Sequence, residues 1–356
     1  MKLAVALALV AGLAALSPHV AAAQTKPAAK PSAKVGGGGA AVAPAPNQAG
    51  PAASAAELDP AFGAFQRGNF LTAFQLATQR VEEKGDAKSM TLLGELYANG
   101  LGVPKNDAKA AEWYKLAADR GDSNAMFALA MFALDGRAGA RDRQASAKWL
   151  AAAAKLGHPT AAYDLALLYV EGQLFPQDFS RAAELLRVAA QAGSADAQYA
   201  LGTFYKEGRG VPKDMHQAVQ LWAQAALADN TDAQVEYAIA LYNGDGVDPN
   251  REAAAAIFRK AAHHGSAIAQ DRLARILFSG VGEAANPVEA TKWHLISRAG
   301  GETDLELDAF VDKLDPDTRA AGEKAAQPWI DAIKAAQARA EQPQSQGAQS
   351  VQQAKP

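Results

Sequence analysis

Apolar and small residues recur along this chain in blocks spaced 36 positions apart, and the polar residues between them recur with the same spacing. The clearest block is Leu93-Gly94-Glu95-Leu96-Tyr97-Ala98-Asn99-Gly100-Leu101-Gly102-Val103-Pro104. Its Gly100 returns as Gly136, Gly172, Gly208, Gly244 and Gly280. Downstream, Asn106 is answered by Asp142, Asp178, Asp214, Asn250 and Asn286, and Trp113 by Trp149, Leu185, Leu221, Ile257 and Trp293. A fixed period of this length is the mark of a solenoid, in which each unit buries its apolar face only against its neighbours.

The chemistry inside one period predicts two helices. The Asn106 series offers a side-chain oxygen to start a helix, which then carries the small residues Ala110, Ser146, Ala182, Ala218, Ala254 and Ala290. That helix ends just after an Ala-Ala pair, at Gly121, Gly157, Gly193, Gly265 and Gly301, positions suited to a left-handed cap. Asp229 stands in that series where glycine is expected. The other helix starts near Ala125, Ala161, Ala197, Ala233 or Ala269 and runs about ten residues to the Gly100-type turn.

These motifs together, A-x3-LG-x-LY-x2-G-x-GVP-x-(N/D)-x3-A-x2-W-x3-AA-x2-G, resemble the Sel1-like repeat, a relative of the tetratricopeptide repeat. The unit with Leu201-Gly202, Tyr205, Gly208, Gly210-Val211-Pro212 and Asp214 matches most fully. The resemblance implies an all-α, right-handed α-α superhelical solenoid. It divides the chain into six repeats over 89–304, an N-terminal capping half-repeat over 57–88 and C-terminal capping helices over 305–341. Ala140 and Ala284 replace the usual proline, and the run Arg137 to Arg143 departs further, so altered turns are expected there.

Outside the repeats the composition changes. Met1-Lys2, the apolar run Leu3 to Leu16 and Ala21-Ala22-Ala23 read as a signal peptide over 1–23, shorter than a membrane span and cleaved near Ala23. Residues 24–56 are rich in Ala, Pro and Gly, with Lys26, Lys30 and Lys34 and no acid, and read as a disordered linker. Its lysines could serve a solvated spacer or a weak contact with cell wall or membrane surface. Thr303-x-x-Glu306 looks like a capping box opening a helix through Leu314, and Asp315-Pro316 starts a last helix that Pro328 is placed to kink. Residues 342–356 read as a disordered glutamine-rich tail. A periplasmic or secreted protein is expected.

Composition narrows the chemistry. The chain has no cysteine, hence no disulfide, thiolate metal site or lipidated cysteine, and a net charge of -3 gives no reason to expect nucleic acid. None of the spacings of nucleophilic, zinc-hydrolase or phosphate-loop chemistry occurs. The adjacent His263 and His264 point about 100° apart on a helix, which makes a poor chelate. No catalytic residue, cofactor or metal ligand is assigned, and the mature form is expected to have no membrane span.

What remains is a surface. With Leu93 taken as the core direction, Lys88, Thr91, Glu95 and Ala98 fall on the opposite face, which in such superhelices lines the concave side. Carried forward by one period, that face becomes Phe127, Met131 and Leu134, then Tyr163, Leu167 and Val170, then Tyr199, Thr203 and Lys206, then Val235, Ile239 and Tyr242. Asp271 and Arg275 return it to polar residues. Three readings of this apolar band stay open: ordinary core, a seat for the chain's own stripe Trp329, Ile330 and Ile333, or a groove for a partner peptide or helix. The resemblance implies a non-enzymatic periplasmic scaffold or adaptor that binds a partner protein or peptide through the concave face, in cell-envelope regulation. The rival is a protein that binds or hydrolyses cell-wall peptides or β-lactams, as cysteine-rich relatives do.

Overall fold

A computed structural model describes residues 59–341. The expected signal peptide, basic linker and glutamine-rich tail lie outside the described residues.

Among the described residues there are sixteen α-helices and no strand. An opening pair, α1 (Pro60–Gln66) and α2 (Phe70–Lys84), precedes α3 (Ala87–Asn99) and α4 (Asp107–Ala118). The next pairs are α5 (Ser123–Asp135) with α6 (Arg143–Lys155), α7 (Pro159–Glu171) with α8 (Phe179–Gln191), and α9 (Ala195–Glu207) with α10 (Met215–Leu227). Then come α11 (Thr231–Asn243) with α12 (Arg251–His263), and α13 (Ala267–Ser279) with α14 (Pro287–Ala299). The last two helices are α15 (Leu305–Asp312) and α16 (Pro316–Glu341). The N-terminal cap is thus a helix pair with a truncated first member.

Each second helix of a repeat is capped by the predicted series: Asp142, for example, accepts from the Ala145 amide at 2.8 Å. The first helices carry a cap series of their own, Asp86, Asp122, His158, Ser194, Asn230 and Ser266, each accepting from the amide three residues on. Asp229 adopts the left-handed conformation of the glycines it replaces, with φ 62°. The turn after α5 follows a different path over residues 136–140, within the departing run Arg137 to Arg143, whereas the turn at Ala284 keeps the pattern of its neighbours, which corrects the expectation there and shows that loss of the proline alone does not alter the turn. Both turns close alike, with Asp142 N–H donating to Ala133 O and Asn286 N–H to Leu277 O.

Packing runs from each helix to the next in sequence from α1 to α14, and α14 packs against α16. The innermost second-helix residues are Tyr114, Leu150, Leu186, Trp222, Phe258 and His294, one position after the predicted Trp113 series. Trp113, Trp149, Leu185, Leu221 and Ile257 are only half-buried; Trp293 alone of that series is fully enclosed. Opposite the inner residues stand Gly94, Ala130, Ala166, Gly202, Ala238 and Ala274. Glycine faces Tyr114 and Trp222: a Cβ on Gly94 would lie 2.6 Å from the Tyr114 ring, and one on Gly202 2.6 Å from Trp222 Nε1.

A ladder of buried glutamines joins later repeats. Gln198, Gln234 and Gln270 each donate from Nε2 to a carbonyl near the end of the preceding helix, those of Ala190, Ala226 and Ala262, at 3.1–3.2 Å. Each of these carbonyls also accepts from a backbone amide in the turn that follows, those of Gly193, Asp229 and Gly265, so the glutamine fills its second acceptor position.

One C-terminal expectation is corrected. The cap of α15 is Asp304, which accepts from the Glu306 and Leu307 amides, because its side chain rather than that of Thr303 reaches the first turn. The helix after Asp315 runs unbroken through Pro328.

Candidate partner-binding surface

The band residues fall on four successive first helices: Phe127, Met131 and Leu134 on α5; Tyr163, Leu167 and Val170 on α7; Tyr199 on α9; Val235, Ile239 and Tyr242 on α11. All are half-buried except Val235, which is 6% exposed, and Thr203 beside them is buried too. Phe127, Met131, Tyr163 and Val170 pack against the core of the second to fourth repeats, Tyr199 against the Trp222 cluster, and Ile239 and Tyr242 against the last core cluster. The band is therefore a wall partly covered by its own neighbours. The more exposed large apolar side chains lie elsewhere, among them Leu116 and Val188 on second helices, Leu227 at the end of α10, Phe62 and Leu71 on α1 and α2, and Leu305 and Phe310 on α15.

The C-terminal stripe does not need this wall. Trp329 lies 5.6 Å from the Trp293 ring and 5.8 Å from His263, and Ala326 enters the last core cluster. Helix α16 thus covers the exposed side of the last second helix by packing on α14.

Polar groups punctuate the wall. Burial pushes the Tyr199 hydroxyl up to about 12, with Asp232 and Glu236 adding to the shift, and raises Tyr163 likewise. Beside Tyr163, Asp164 is held at about 6 by burial, and no cation pairs with it among the described residues. Lys206 on α9 pairs with Glu236 on α11 at 2.8 Å, its ammonium 5.5 Å from the Trp222 ring centre. His158 caps α7 through Nδ1, 3.1 Å from the Ala161 amide, while its ring stacks on Phe127 at 4.7 Å. Burial lowers its pKa, as an acceptor nitrogen requires. At the far end Arg275 bonds Asp304 and reaches Glu306 at 3.0 Å, and Asp271 is raised by burial and by neighbouring Asp304.

One cavity opens on this face. Between α3 and α5 a space of about 270 Å³ is lined by Glu95, Tyr114, Phe127, Met131, Phe132 and Arg137 among others. Sequence reasoning found Phe127 and Met131 but not the cavity. Its floor comes from Tyr114 on a second helix, and no single-helix pattern shows that convergence. Among the described residues no group of three or more His, Asp or Glu side chains is placed to hold a metal, and no helix is long and apolar enough to cross a membrane.

Comparison with known proteins agrees with this architecture. The Sel1 repeat model matches six consecutive segments, 87–122, 123–158, 159–194, 195–230, 231–266 and 267–301. Among solved structures, c5321, a protective antigen present in uropathogenic Escherichia coli strains displaying an SLR fold, is 26% identical with a TM-score of 0.61. The match covers 76% of this chain and 59% of that one. A Sel1 repeat protein from Oxalobacter formigenes is 26% identical with a TM-score of 0.58, over 68% of this chain and 98% of that one. A search of curated proteins finds no match. Six contiguous repeats, each two capped helices stacked on the next, make this chain a member of the Sel1-repeat family.

Proposed function

We propose that this protein is a non-enzymatic periplasmic scaffold that binds a partner protein or peptide through the concave face formed by its first helices, in cell-envelope regulation. The observation that carries the reading is the ring ladder at one register position, Phe127, Tyr163 and Tyr199, half-buried on three consecutive first helices. Half-buried rings with rigid backing supply contact area at little entropic cost, and the Tyr163 and Tyr199 hydroxyls supply polar register. The periplasmic part rests on the signal-peptide pattern of residues 1–23.

Placing a photo-crosslinking residue at Tyr163 in the native host tests this. Capture of one outside protein, lost on Leu167→Glu in a protein that still folds, is the expected outcome. Capture of nothing would move the partner surface to another face.

A further inference from the structure

The six repeats offer five versions of the cleft between neighbouring first helices, and the chain itself shows how one is filled. Between α9 and α11 the Lys206 side chain reaches over the Trp222 ring, 5.5 Å from its centre, and ends on Glu236 at 2.8 Å. Three repeats earlier, between α3 and α5, the same positions hold Ala98 for Lys206, Tyr114 for Trp222 and Ala128 for Glu236. Truncating the lysine to alanine leaves space, and the cavity of about 270 Å³ is there, lined by both Ala98 and Ala128. That volume equals several water molecules at about 30 Å³ each.

A carboxylate is still present, supplied from a different position. Glu95, one turn before Ala98 on α3, lines the cavity, and no cation pairs with it among the described residues. Burial holds its carboxyl above the usual range, which an approaching ammonium would reverse. Asp135 also lines the cavity. The one cation in the wall, Arg137, is already engaged: it pairs with Asp107 at 2.5 Å, donates to Ala98 O at 2.6 Å and lies 4.3 Å over the Phe132 ring. Tyr114 and Phe132 meet edge to face, ring centres 5.4 Å apart. With the Arg137–Asp107 pair neutral, the wall carries net negative charge beside aromatic faces, a combination that favours a cation on an apolar stem.

We propose that the α3–α5 cavity is a binding site for a lysine side chain of the partner protein, with the ammonium at Glu95 and the methylene stem against Phe127 and Met131. The proposal rests on the partner-binding reading of this face and names the side chain that the face selects.

The test titrates the full chain, methyl-labelled at methionine, with the peptide amide Ac-Ala-Ala-Lys-Ala-Ala and with its analogue carrying norleucine for lysine. A saturable shift of the Met131 methyl, about fivefold tighter for the lysine peptide, is expected. Glu95→Gln, nearly isosteric, should abolish that preference without lowering the thermal midpoint of unfolding, since it removes a carboxyl that burial disfavours in its charged form. Equal shifts with both peptides, no saturable shift, or an unchanged preference in the Glu95→Gln protein would each overturn the proposal. A partner captured at Tyr163 alongside such a result would sink the lysine site alone. Lysine preference without capture at Tyr163 would sink the broader reading of the face and leave the site.

Discussion

Gly202 and Trp222 show how one repeat adjusts to the size of a single side chain. Where the inner second-helix residue is Tyr114 or Trp222, its first-helix neighbour is glycine; the smaller Leu150, Leu186, Phe258 and His294 share their repeats with alanine at that position, Ala130, Ala166, Ala238 and Ala274. Gly202→Ala should therefore cost about 1–3 kcal/mol by pressing a methyl into the indole. In a Trp222→Leu background the same change should be neutral or mildly stabilising, because alanine is the better helix former by about 1 kcal/mol. Urea unfolding of the four proteins in a double-mutant cycle measures this, and additive effects would refute the packing argument. At Asp229, which holds φ 62° at an exposed turn and bonds only exposed Lys260, Asp229→Gly should stabilise the protein, read as a raised thermal midpoint. The glycine registers were legible in the sequence at this scale, but the inner aromatic register was not. Bulky Trp113, Trp149 and Trp293 draw attention to their own register, yet a large ring can sit half-exposed between repeats while its smaller neighbour Leu150 fills the centre.

At the scale of the element, helix starts decide what pH does. Burial lowers the pKa of His158, which caps α7 only while Nδ1 is unprotonated, so the folded state resists protonation. A base with a depressed folded pKa contributes fully above its unfolded value, about 6.5, and loses that contribution as pH falls below it. His158→Asn keeps a capping oxygen that does not titrate. The wild-type protein should lose about 1 kcal/mol or less relative to this variant between pH 7.5 and 5, measured by urea midpoints; parallel pH profiles would refute the cap. Asp164 on the same helix has the opposite sign. Its carboxyl, raised by burial to about 6, destabilises the fold as pH rises from the unfolded value near 4 and the unfolded chain alone ionises. Asp164→Asn should accordingly raise the thermal midpoint at pH 7.5 and progressively less toward pH 5. The second-helix caps, all Asn or Asp, were readable from the sequence. The first-helix caps change type through Asp, His, Ser and Asn, and so escape a pattern search. The band met a different obstacle. Helices such as α5, Ser-Asn-Ala-Met-Phe-Ala-Leu-Ala-Met-Phe-Ala-Leu-Asp, are apolar on nearly every face, so periodicity alone cannot separate core from groove, and only the neighbours of Phe127 and Tyr163 do so.

Across the whole stack, order is passed between neighbours. Among the described residues the buried side chains form five clusters along the chain, and α16 enters the last, from Val235 to Ala326. Helix α16 packs on α14, placing Trp329 on Trp293 and Gly322 so close to Thr291 that an added Cβ would lie 2.5 Å from it. Removing residues 302–356 would uncover the Trp293 end of the stack and also delete Asp304 and Glu306, to which Arg275 is bonded. Uncovering one large side chain costs about 1.5–3 kcal/mol. In a chain whose units stabilise one another only through shared faces, that loss stays local. Hydrogen exchange on the shortened protein should therefore show amides of α12, α13 and α14 exchanging about tenfold faster or more, with α3 to α8 nearly unchanged. A uniform loss of protection from α3 to α14 would mean that the six repeats unfold as one cooperative unit, and that a partner seated near α5 and α7 is coupled to the C-terminal cap.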